Sequence, residues 1–508
     1  MHRTFRPFFF FRTFPRALAP LALASLAACS QAPVHQTPEL PAPLPAEWKT
    51  LPDLPAPPGW SPADQAAARA AALPADWWRA WQDDTLNALM NAAARHNQSV
   101  AAAAASVRQA RAALDQQQAA LWPTLGLQAG QQRSGGENRA ASGSASAGLQ
   151  ASWAPDLWGR AADAASAQSA SVQASQADLA AALLAARGSL ANAYFSLRAT
   201  DAELALLDEI IRGYERSAAI AQRRYDSGLT ARTDALQAQS TLDAARASRV
   251  ALLRNRALSE NAIATLTGQS AASFRLAPAA DLNAWQRHLP ALAPGQPAAL
   301  LLRRPDVAAA ERAVAAANAR IGVARAAWFP SLTLSASASS VASRLSDVIS
   351  APKLLWSLGA SLAQTLLDAG ARSAAEQQAL AAHEQASAQY RQRALTAMQE
   401  VQDHLATLQT LQAQHTHSQA SAEVAERIEQ QMLARYRSGL VAYTEVVNAQ
   451  ASAQNARRSL MQLQLQRQQA FIALAQALGG GWQPESADST DSAQAAGSAE
   501  SAKPATAP

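Results

Sequence analysis

The sequence predicts a mainly α-helical protein with a β-barrel part, built from two copies of one unit. Three observations lead to this fold class. Long stretches rich in Ala, Gln and Leu, with only 6 % aromatic residues among 508, fit long helices better than globular cores. Two sequence blocks occur twice in the same order. Two pairs of short segments alternate polar and apolar residues, which is the period of a β-strand.

The duplication rests on two matched blocks. The sequence ALWPTL at Ala120–Leu125 returns as AWFPSL at Ala327–Leu332, an offset of 207 residues. The sequence RYDSGL at Arg224–Leu229 returns as RYRSGL at Arg435–Leu440, an offset of 211 residues. Two blocks in one order at nearly one spacing favour tandem duplication over coincidence. We expect each copy to contain a helix, a β-hairpin, a very long helix, a tight turn and a second helix.

The hairpin of each copy follows its first helix. In the first copy residues 86–119 are predicted to be helical, and Pro123 forces the next residues into an extended backbone. A loop rich in Gly, Ser and Asn at 134–143 separates the two strands of this hairpin. The four predicted strands are 124–133, 144–153, 331–341 and 356–366. Alternation alone leaves open whether each hairpin is soluble with one buried face or inserted in a membrane.

The long helices are predicted at about 160–225 and 370–436, each followed by a turn and a helix ending near residue 266 or 478. In the first copy an apolar residue recurs every seven positions, which indicates packing along a left-handed supercoil. These positions are Leu183, Leu190, Leu197, Leu204, Ile211, Ala218 and Tyr225. The equivalent stripe of the second copy is weaker and consists of Ala394, Val401, Leu408, His415, Ala422, Glu429 and Tyr436. A helix of about 65 residues reaches roughly 95–100 Å, which few globular domains need.

The first 28 residues have the pattern of a secretion signal. A basic stretch from Arg3 to Arg16 precedes a short apolar stretch from Ala17 to Ala28, which is too short to span a bilayer. The sequence Leu-Ala-Ala-Cys at Leu26–Cys29 resembles the lipobox of bacterial lipoproteins, so we expect cleavage before Cys29 and acylation of its thiol. The alternative is an ordinary signal peptide with a chance cysteine. Ser30 follows in place of the Asp that resembles an inner-membrane retention signal, which favours the outer membrane.

Charge and cysteine usage exclude several classes of function. Four of the 43 basic residues lie in the predicted signal peptide, which contains no acid, so the remaining 39 against 38 acids give a mature charge of +1. The arginines are scattered along predicted helices without clustered aromatics, so nucleic-acid binding is set aside. Cys29 is the single cysteine, which excludes a disulfide framework. Residues 32–62 are Pro-rich and predicted to form an extended tether.

The number of strands predicts an oligomer if the hairpins are in lipid. No apolar run after the signal peptide is long enough for a transmembrane helix, and two hairpins supply too few strands to close a barrel. Backbone groups in lipid must be satisfied, so several chains would have to pool their strands. Three copies give twelve strands, whereas two copies give eight and leave little lumen. The counting therefore favours a homotrimer.

Together these features resemble the TolC-like outer-membrane efflux proteins, in particular the lipoprotein branch called NodT-like. The resemblance covers most of residues 29–482. It rests on the lipobox, on WWRAWQDD at Trp77–Asp84 with Leu86 and Leu89, on both Trp/Phe-Pro strand starts, on RRPD at Arg303–Asp306 and on both Tyr-x-x-Gly turns. It implies a trimer with a twelve-stranded membrane β-barrel on a long periplasmic α-helical barrel and a mixed equatorial region.

The resemblance also implies partners and a domain layout. A periplasmic adaptor and an inner-membrane transporter, commonly of the resistance-nodulation-division (RND) type, would complete a tripartite pump that conducts drugs, toxic compounds or metabolites, with outer-membrane lipid around the barrel. No cofactor is implied. The expected divisions are a signal peptide at 1–28, a tether and start of the equatorial region at 29–76, a first repeat at 77–267, an equatorial connector at 268–305, a second repeat at 306–482 and a disordered tail at 483–508.

The two helical turns match the periplasmic tips that close such channels at rest. By motif position, Glu445 and Asn448 correspond to two positions that often carry constricting acids, and here Asn448 leaves one charged ring in a trimer instead of two. Gly228 and Gly439 are expected at positive φ. Two interpretations stay open for the charged tip residues. They form ion pairs between tips, or they are solvated side chains at helix ends. The candidate tip residues are Tyr225, Gly228, Arg232, Asp234, Tyr436, Arg437, Gly439, Glu445 and Asn448, with Asp226 as a further ion-pair candidate.

Catalytic and metal-binding residues are not predicted. The eight histidines lack metal-ligand spacing, and His415 and His417 fall on different helix faces. No nucleophile elbow or phosphate-binding glycine loop is present in the sequence. Two alternatives to the efflux channel stay open, a lipid-anchored periplasmic coiled-coil scaffold without a pore and a protein-secretion duct of the same fold.

Overall fold

The computed structural model describes residues 30–45, 48–49, 73–137, 139–279, 303–344 and 354–483, together with the single positions 281, 285, 289, 297, 300, 347 and 348. The predicted signal peptide, Cys29 and the predicted tail after residue 483 lie outside the described residues. The described part of the predicted tether contains neither helix nor strand. Among the described residues no helix combines the length and apolar composition needed to cross a bilayer.

The first copy contains four helices around a hairpin. A short 3-10 helix at Trp77–Trp81 precedes α1 (Asp84–His96) and α2 (Gln98–Ala119). Strands β1 (Thr124–Gly136) and β2 (Arg139–Trp153) follow, then the long helix α3 (Arg160–Asp226) and α4 (Arg232–Leu266). Both long-helix bounds lie within one residue of the prediction.

The second copy repeats this order with one helix before its hairpin. The elements are α5 (Pro305–Ala326), β3 (Ser331–Ala342), β4 (Leu354–Ala363), the long helix α6 (Ala371–Arg437) and α7 (Tyr443–Ala477). The long helices of the two copies have 67 residues each and the helices after the turns have 35 each. The duplicated helix, hairpin, long helix and helix predicted from the matched blocks is confirmed.

Two details of the first copy differ from the prediction. The helix expected over 86–119 is interrupted at Asn97, whose backbone is extended at ψ 123. The Asn97 side chain is buried, donates to the Leu266 carbonyl at 2.9 Å and accepts from Ser99 N at 2.9 Å, so it caps α2 while binding the end of α4. The loop expected at 134–143 is shorter, because β1 continues to Gly136 and β2 begins at Arg139.

The chain divides into two compact units. The first, the sheet unit, comprises Gln109–Gln173, Arg312–Ala388 and the N-terminal residues up to Thr37. It contains one antiparallel sheet in the order β1-β2-β3-β4, so the two predicted hairpins are joined through β2 and β3. The second, the helix unit, comprises Pro38–Arg108, Ala174–Glu311 and the residues from Gln389 onward.

Two motifs quoted above fold into buried anchors of the helix unit. Trp81 packs against Phe195 and Phe471, each at 4.9 Å between ring centroids, and its Nε1 donates to Gln468 at 2.8 Å. Arg304 binds Asp306 through two nitrogens at 2.9 and 2.7 Å and Glu400 through a third at 2.6 Å. A buried, paired guanidinium of this kind is costly to disrupt, so both motifs have a structural role.

Candidate functional site

The four-stranded sheet has one apolar and one polar face. The strand register places one set of residues side by side, Leu125, Leu127, Ala129, Ala147, Leu149, Ala151, Leu334, Ala336, Ala338, Trp356, Leu358 and Ala360. On this face Leu127 and Leu358 are each 76 % exposed and Trp356 is 71 % exposed. A contiguous exposed patch of Leu and Trp is unfavourable in water and marks a surface that is covered by another apolar phase.

The opposite face of the sheet is mostly polar and small, although it also carries Val341 and Leu355. It carries Thr124, Gln128, Ser146, Gln150, Ser152, Ser335, Ser337, Ser339, Ser357 and Ser361 with interspersed glycines. Gln128 donates to Gln150 at 3.1 Å, and the hydroxyls of Ser337 and Ser357 lie 2.8 Å apart. This face can be solvated without burying a charge. The alternation predicted from the sequence therefore separates an apolar surface from a hydrophilic one.

Both outer strands of the sheet have an unpaired edge. In the part of the chain that the structure describes, β1 pairs only with β2 and β4 only with β3. Every residue of β4 and of β1 is exposed. Long, flat edge strands next to an apolar face are avoided in soluble proteins, because they template pairing with another chain. The sheet is a piece of a larger structure.

Aromatic side chains collect at one end of the sheet, where β1 and β3 begin and β2 ends. Trp122, Trp328 and Phe329 are 73, 42 and 39 % exposed. Trp158 stacks on Phe329 at 4.8 Å and donates from Nε1 to the Pro330 carbonyl at 2.7 Å. Indole rings with an apolar body and a polar N–H are typical of the membrane–water interface. We call this group the aromatic belt.

The two helix–turn–helix tips lie in the helix unit and share one backbone geometry. In the first, Gly228 N donates to Tyr225 O and Leu229 N to Arg224 O, both at 2.8 Å. In the second, Gly439 N donates to Tyr436 O and Leu440 N to Arg435 O, both at 3.0 Å. This is the Schellman pattern, which requires positive φ at the glycine. The φ angles of 71 and 74 at Gly228 and Gly439 confirm the prediction.

A small apolar core holds the two tips against each other. Ala221 and Ala238 from the first hairpin pack against Tyr436, Tyr443 and Val446 from the second. The rings of Tyr436 and Tyr443 meet edge to face at 5.1 Å and are 2 and 1 % exposed. We call this group the tip core. Burial raises the pKa of Tyr443 to about 12, and the neighbouring Tyr436, Tyr214 and Asp234 act in the same direction.

Arg224 joins the first tip to the second. Its Nη1 donates to the Tyr436 carbonyl at 2.9 Å, and its guanidinium lies 4.9 Å above the centroid of the Tyr436 ring. Burial raises the pKa of Tyr436, and the nearby Arg224 partly offsets that rise. Arg224 and Tyr443 were not among the predicted site residues. Tyr443 had a signal in the sequence, a break in the repeat, because it stands where the offset of 211 places Arg232 in the first copy. Arg224 had no such signal, since Arg435 repeats it.

The predicted constriction residues are on the surface of the second tip. Glu445 and Asn448 are exposed, and Glu445 lies in the first turn of α7. Its repeat equivalent Asp234 lies in the first turn of α4, so both acids also complement a helix N-terminus. The structure brings Asp234 near the tip core through Tyr436 and Tyr443.

The remaining tip candidates are solvent-facing. Tyr225 is 38 % exposed, and Arg232 and Arg437 are exposed. Asp226 accepts a hydrogen bond from Gln222 at 2.9 Å. Over the described ranges, no ion pair within the chain joins Asp226, Asp234, Arg232 and Arg437 to one another. The tip-to-tip ion pairs that the sequence left open are thus absent within one chain among the described residues, and they stay an open interpretation between chains.

The fold and these two sites define a class of protein. A sheet with one apolar face and two open edges is a segment of a membrane β-structure, and the duplicated long helical hairpins with closely packed tips belong to a channel component. Among the described residues no group of three His, Cys, Asp or Glu side chains could hold a metal ion. The class is an outer-membrane channel subunit.

Comparison with known proteins identifies the family. The model for outer membrane efflux protein matches residues 89–269 and 297–480, which is more than half of the chain. The chain is 33 % identical over 446 residues to the pyoverdine export outer membrane protein OpmQ of Pseudomonas putida, covering 85 % of this chain and 93 % of the relative. It is 29 % identical over 409 residues to the cation efflux system protein CusC of Escherichia coli, covering 80 and 89 %.

Solved structures agree with this assignment. The outer-membrane channel OprN matches with a TM-score of 0.77 at 28 % identity, covering 90 % of this chain and all of that one. A CusC crystal structure matches with a TM-score of 0.75 at 28 % identity, covering 89 % of this chain and all of that one. The chain belongs to the outer membrane efflux protein family. It is an efflux channel of the outer membrane that extends into the periplasm, and not an enzyme.

Proposed function

We propose that three copies of this chain form one channel, each supplying β1–β4 to a twelve-stranded barrel. The observation that carries this proposal is the amphipathic sheet with two unpaired edges. In lipid every backbone donor and acceptor must be satisfied, so the edge of β1 in one copy pairs with the edge of β4 in the next. Three copies close this ring around a water-filled lumen lined by the polar face.

The channel is the exit duct of a tripartite efflux pump. A periplasmic adaptor and an inner-membrane transporter of the RND type deliver the cargo, and the long helical hairpins form the periplasmic duct. OpmQ and CusC are named for pyoverdine export and cation efflux, which supports small molecules as the cargo of this chain. Drugs, toxic compounds and metabolites are the expected classes. A neutral hydroxyl- and amide-lined barrel selects weakly among them, so the transporter does most of the choosing.

The tips form the periplasmic gate. In a trimer each exposed Glu445 contributes to a ring of three carboxylates, and Asn448 makes the second ring neutral. Tyr436, Gly439 and Arg437 shape the turn beside this ring, and Tyr225, Gly228, Arg232 and Asp234 shape the neighbouring one. Opening requires the two hairpins of each chain to move, which separates surfaces that the tip core now holds together.

Cys29 anchors the channel to the membrane through covalent lipid. The lipobox at Leu26–Cys29 supports this step, and several acyl chains give firm anchoring at about 0.8 kcal/mol per buried methylene. The Cys29→Ser variant should lose incorporation of labelled palmitate. Labelling that survives this substitution would place the lipid on another residue.

Conductance in planar bilayers tests the channel. Purified full-length protein, reconstituted with its acyl chains, should insert as a trimer and give discrete current steps. A matched sample of Leu127→Arg, which puts a charge on the lipid-facing side of β1, should insert poorly. Absence of conductance from folded, acylated trimers would favour the coiled-coil scaffold. Passage of an unfolded polypeptide through the same pore would favour the protein-secretion duct.

A further inference from the structure

A groove in the sheet unit holds the residues that follow Cys29. Its walls come from the start of α3 and from α5, so each copy of the repeat supplies one side. The groove contains Ser30, Ala32, Pro33 and other residues of the same N-terminal segment. Because this segment forms neither helix nor strand, it is held by contacts with side chains of the groove.

Asp163, in the first turn of α3, makes the central contact. It is 4 % exposed, and its Oδ1 accepts a hydrogen bond from the Ser30 hydroxyl at 2.6 Å. The same hydroxyl accepts from Ala32 N at 3.3 Å, which ties the backbone of the segment to the carboxylate. A carboxylate so far from solvent is unfavourable unless it is hydrogen-bonded, so Asp163 has a strong requirement for a donor at this position.

The α5 side of the groove is shaped to admit the segment. Asn318, 6 % exposed, donates from Nδ2 to the Pro33 carbonyl at 2.6 Å. One turn later Gly322 has no room for a side chain. A Cβ at this position would overlap Asp163 Oδ2 and lie 2.6 Å from Ala32 N. Gly322 thus lets the segment and Asp163 approach the helix backbone.

The groove lies beside the aromatic belt along the chain. Asp163 follows Trp158 by five residues, and Gly322 precedes Trp328 by six, so both walls of the groove are close to the belt along the chain. Ser30 is bonded to Cys29, so an acyl chain on Cys29 starts within one residue of the Asp163 contact. An acyl anchor that starts one residue from this groove can enter the lipid without a long free linker.

We infer that Asp163, Asn318 and Gly322 form a docking site for the segment after Cys29, and that this site fixes where the lipid anchor enters the membrane. Asp163 is the positioning residue. The inference rests on the acylation of Cys29 in the proposed function. It makes residues 30–33 a docked segment where the sequence predicted an extended tether, because both walls of the groove bind the segment.

Hydrogen–deuterium exchange of the full-length acylated protein tests the docking. Asp163→Ala should speed exchange at the Ala32 amide by about tenfold, the size expected for loss of a charge-assisted hydrogen bond. Asp163→Asn should restore most protection, since its amide oxygen still accepts from Ser30. Gly322→Ala should expose the segment as Asp163→Ala does. Asp115→Ala, which removes an exposed carboxylate from α2, is the matched control and should change nothing. Unchanged exchange in Asp163→Ala would overturn the docking site.

Membrane insertion tests the positioning role. Asp163→Ala should lower the fraction of protease-resistant, inserted trimer in cells about threefold while palmitate labelling of Cys29 stays normal, with Asp163→Asn rescuing insertion. In a Cys29→Ser background the same substitution should have no further effect, because there is no anchor to position. An equal loss in both backgrounds would reduce Asp163 to a structural residue and overturn the inference. Missing palmitate in the unmodified protein would instead contradict the proposed acylation, and the exchange experiment would be unaffected.

Discussion

The two helical tips of this chain have the same backbone and different chemistry. Each ends its long helix with a glycine at positive φ and the same pair of turn hydrogen bonds. Yet Tyr436 in the second tip is 2 % exposed, whereas Tyr225 at the equivalent position in the first is 38 % exposed. Arg224 binds Tyr436 across the tips, and Arg435, its repeat equivalent, is exposed. The first tip supplies a cation and two alanines, and the second supplies the rings that these contact.

This asymmetry shows how a duplicated unit can hold its two hairpins together. Two identical hairpins would each need a partner surface of their own. Here the change from Arg232 to Tyr443 at one repeat position provides a second ring, which packs on Tyr436 and closes a core between the hairpins. The backbone turn is retained because glycine and the hydrogen bonds define it locally. The interaction that keeps the hairpins together depends on side chains that differ between copies.

The largest expected difference lies between the two turn tyrosines. Tyr436→Ala removes a buried ring from the tip core and should destabilise the tip by about 3 kcal/mol, whereas Tyr225→Ala should stay within about 0.5 kcal/mol. Urea denaturation measures the stability change of each variant, and hydrogen exchange over residues 430–446 measures it at the tip. The Tyr436 hydroxyl has no hydrogen-bond partner among the described residues, so Tyr436→Phe should be close to neutral. Equal losses at Tyr225 and Tyr436 would contradict the asymmetry.

The second difference concerns the two arginines. Arg224→Ala loses the hydrogen bond to the Tyr436 carbonyl and the contact with its ring, which should destabilise the packing of the two tips by about 1–2 kcal/mol. Arg435→Ala removes an exposed charge and should change stability by less than about 0.5 kcal/mol. In bilayer recordings the Arg224 variant should spend more time in high-conductance states. A larger opening in Arg435→Ala than in Arg224→Ala would show that contacts between chains control the gate.

The sequence predicted the backbone of these tips better than their contacts. The turns at Gly228 and Gly439 and the long-helix bounds follow from local periodicity and glycine geometry, which neighbouring residues determine. The pairing of Arg224 with Tyr436 spans 212 residues and depends on how two hairpins pack, so local patterns carry no trace of it. Likewise the break at Asn97 arises from its bond to Leu266, and the joining of β2 to β3 arises from pairing between copies.

A third comparison separates the two first-turn acids. Glu445→Ala removes an exposed carboxylate from the proposed constriction and should lower the cation preference of single channels about twofold to fivefold. This range corresponds to less than about 1 kcal/mol, which is the size expected for a charge screened by solvent. Asp234→Ala is the control at the equivalent position of the first tip. Its smaller expected effect reflects its position beside Tyr443 and Tyr436, where its field acts on the tip core. Unaltered selectivity in Glu445→Ala would place the constriction elsewhere.

Substitution of Tyr443 should have the smallest effect on stability at physiological pH and the most specific effect at high pH. Its folded pKa of about 12 lies above the value near 10 of an unfolded tyrosine. The stability from its neutral buried ring is therefore complete below pH 10 and is lost as pH rises through 12, because only the unfolded chain ionises in that interval.

Burial also raises the pKa of Tyr214 to about 12, so both residues titrate in this window. Tyr443→Phe should leave stability at pH 8 nearly unchanged and flatten the fall between pH 10 and 12, and adding Tyr214→Phe should flatten it further. Denaturation series at each pH, with phenolate absorbance to follow ionisation, measure this effect. If Tyr443→Phe kept the full slope of unfolding free energy against pH, the account would be contradicted, because burial in the tip core would then not raise the pKa of Tyr443.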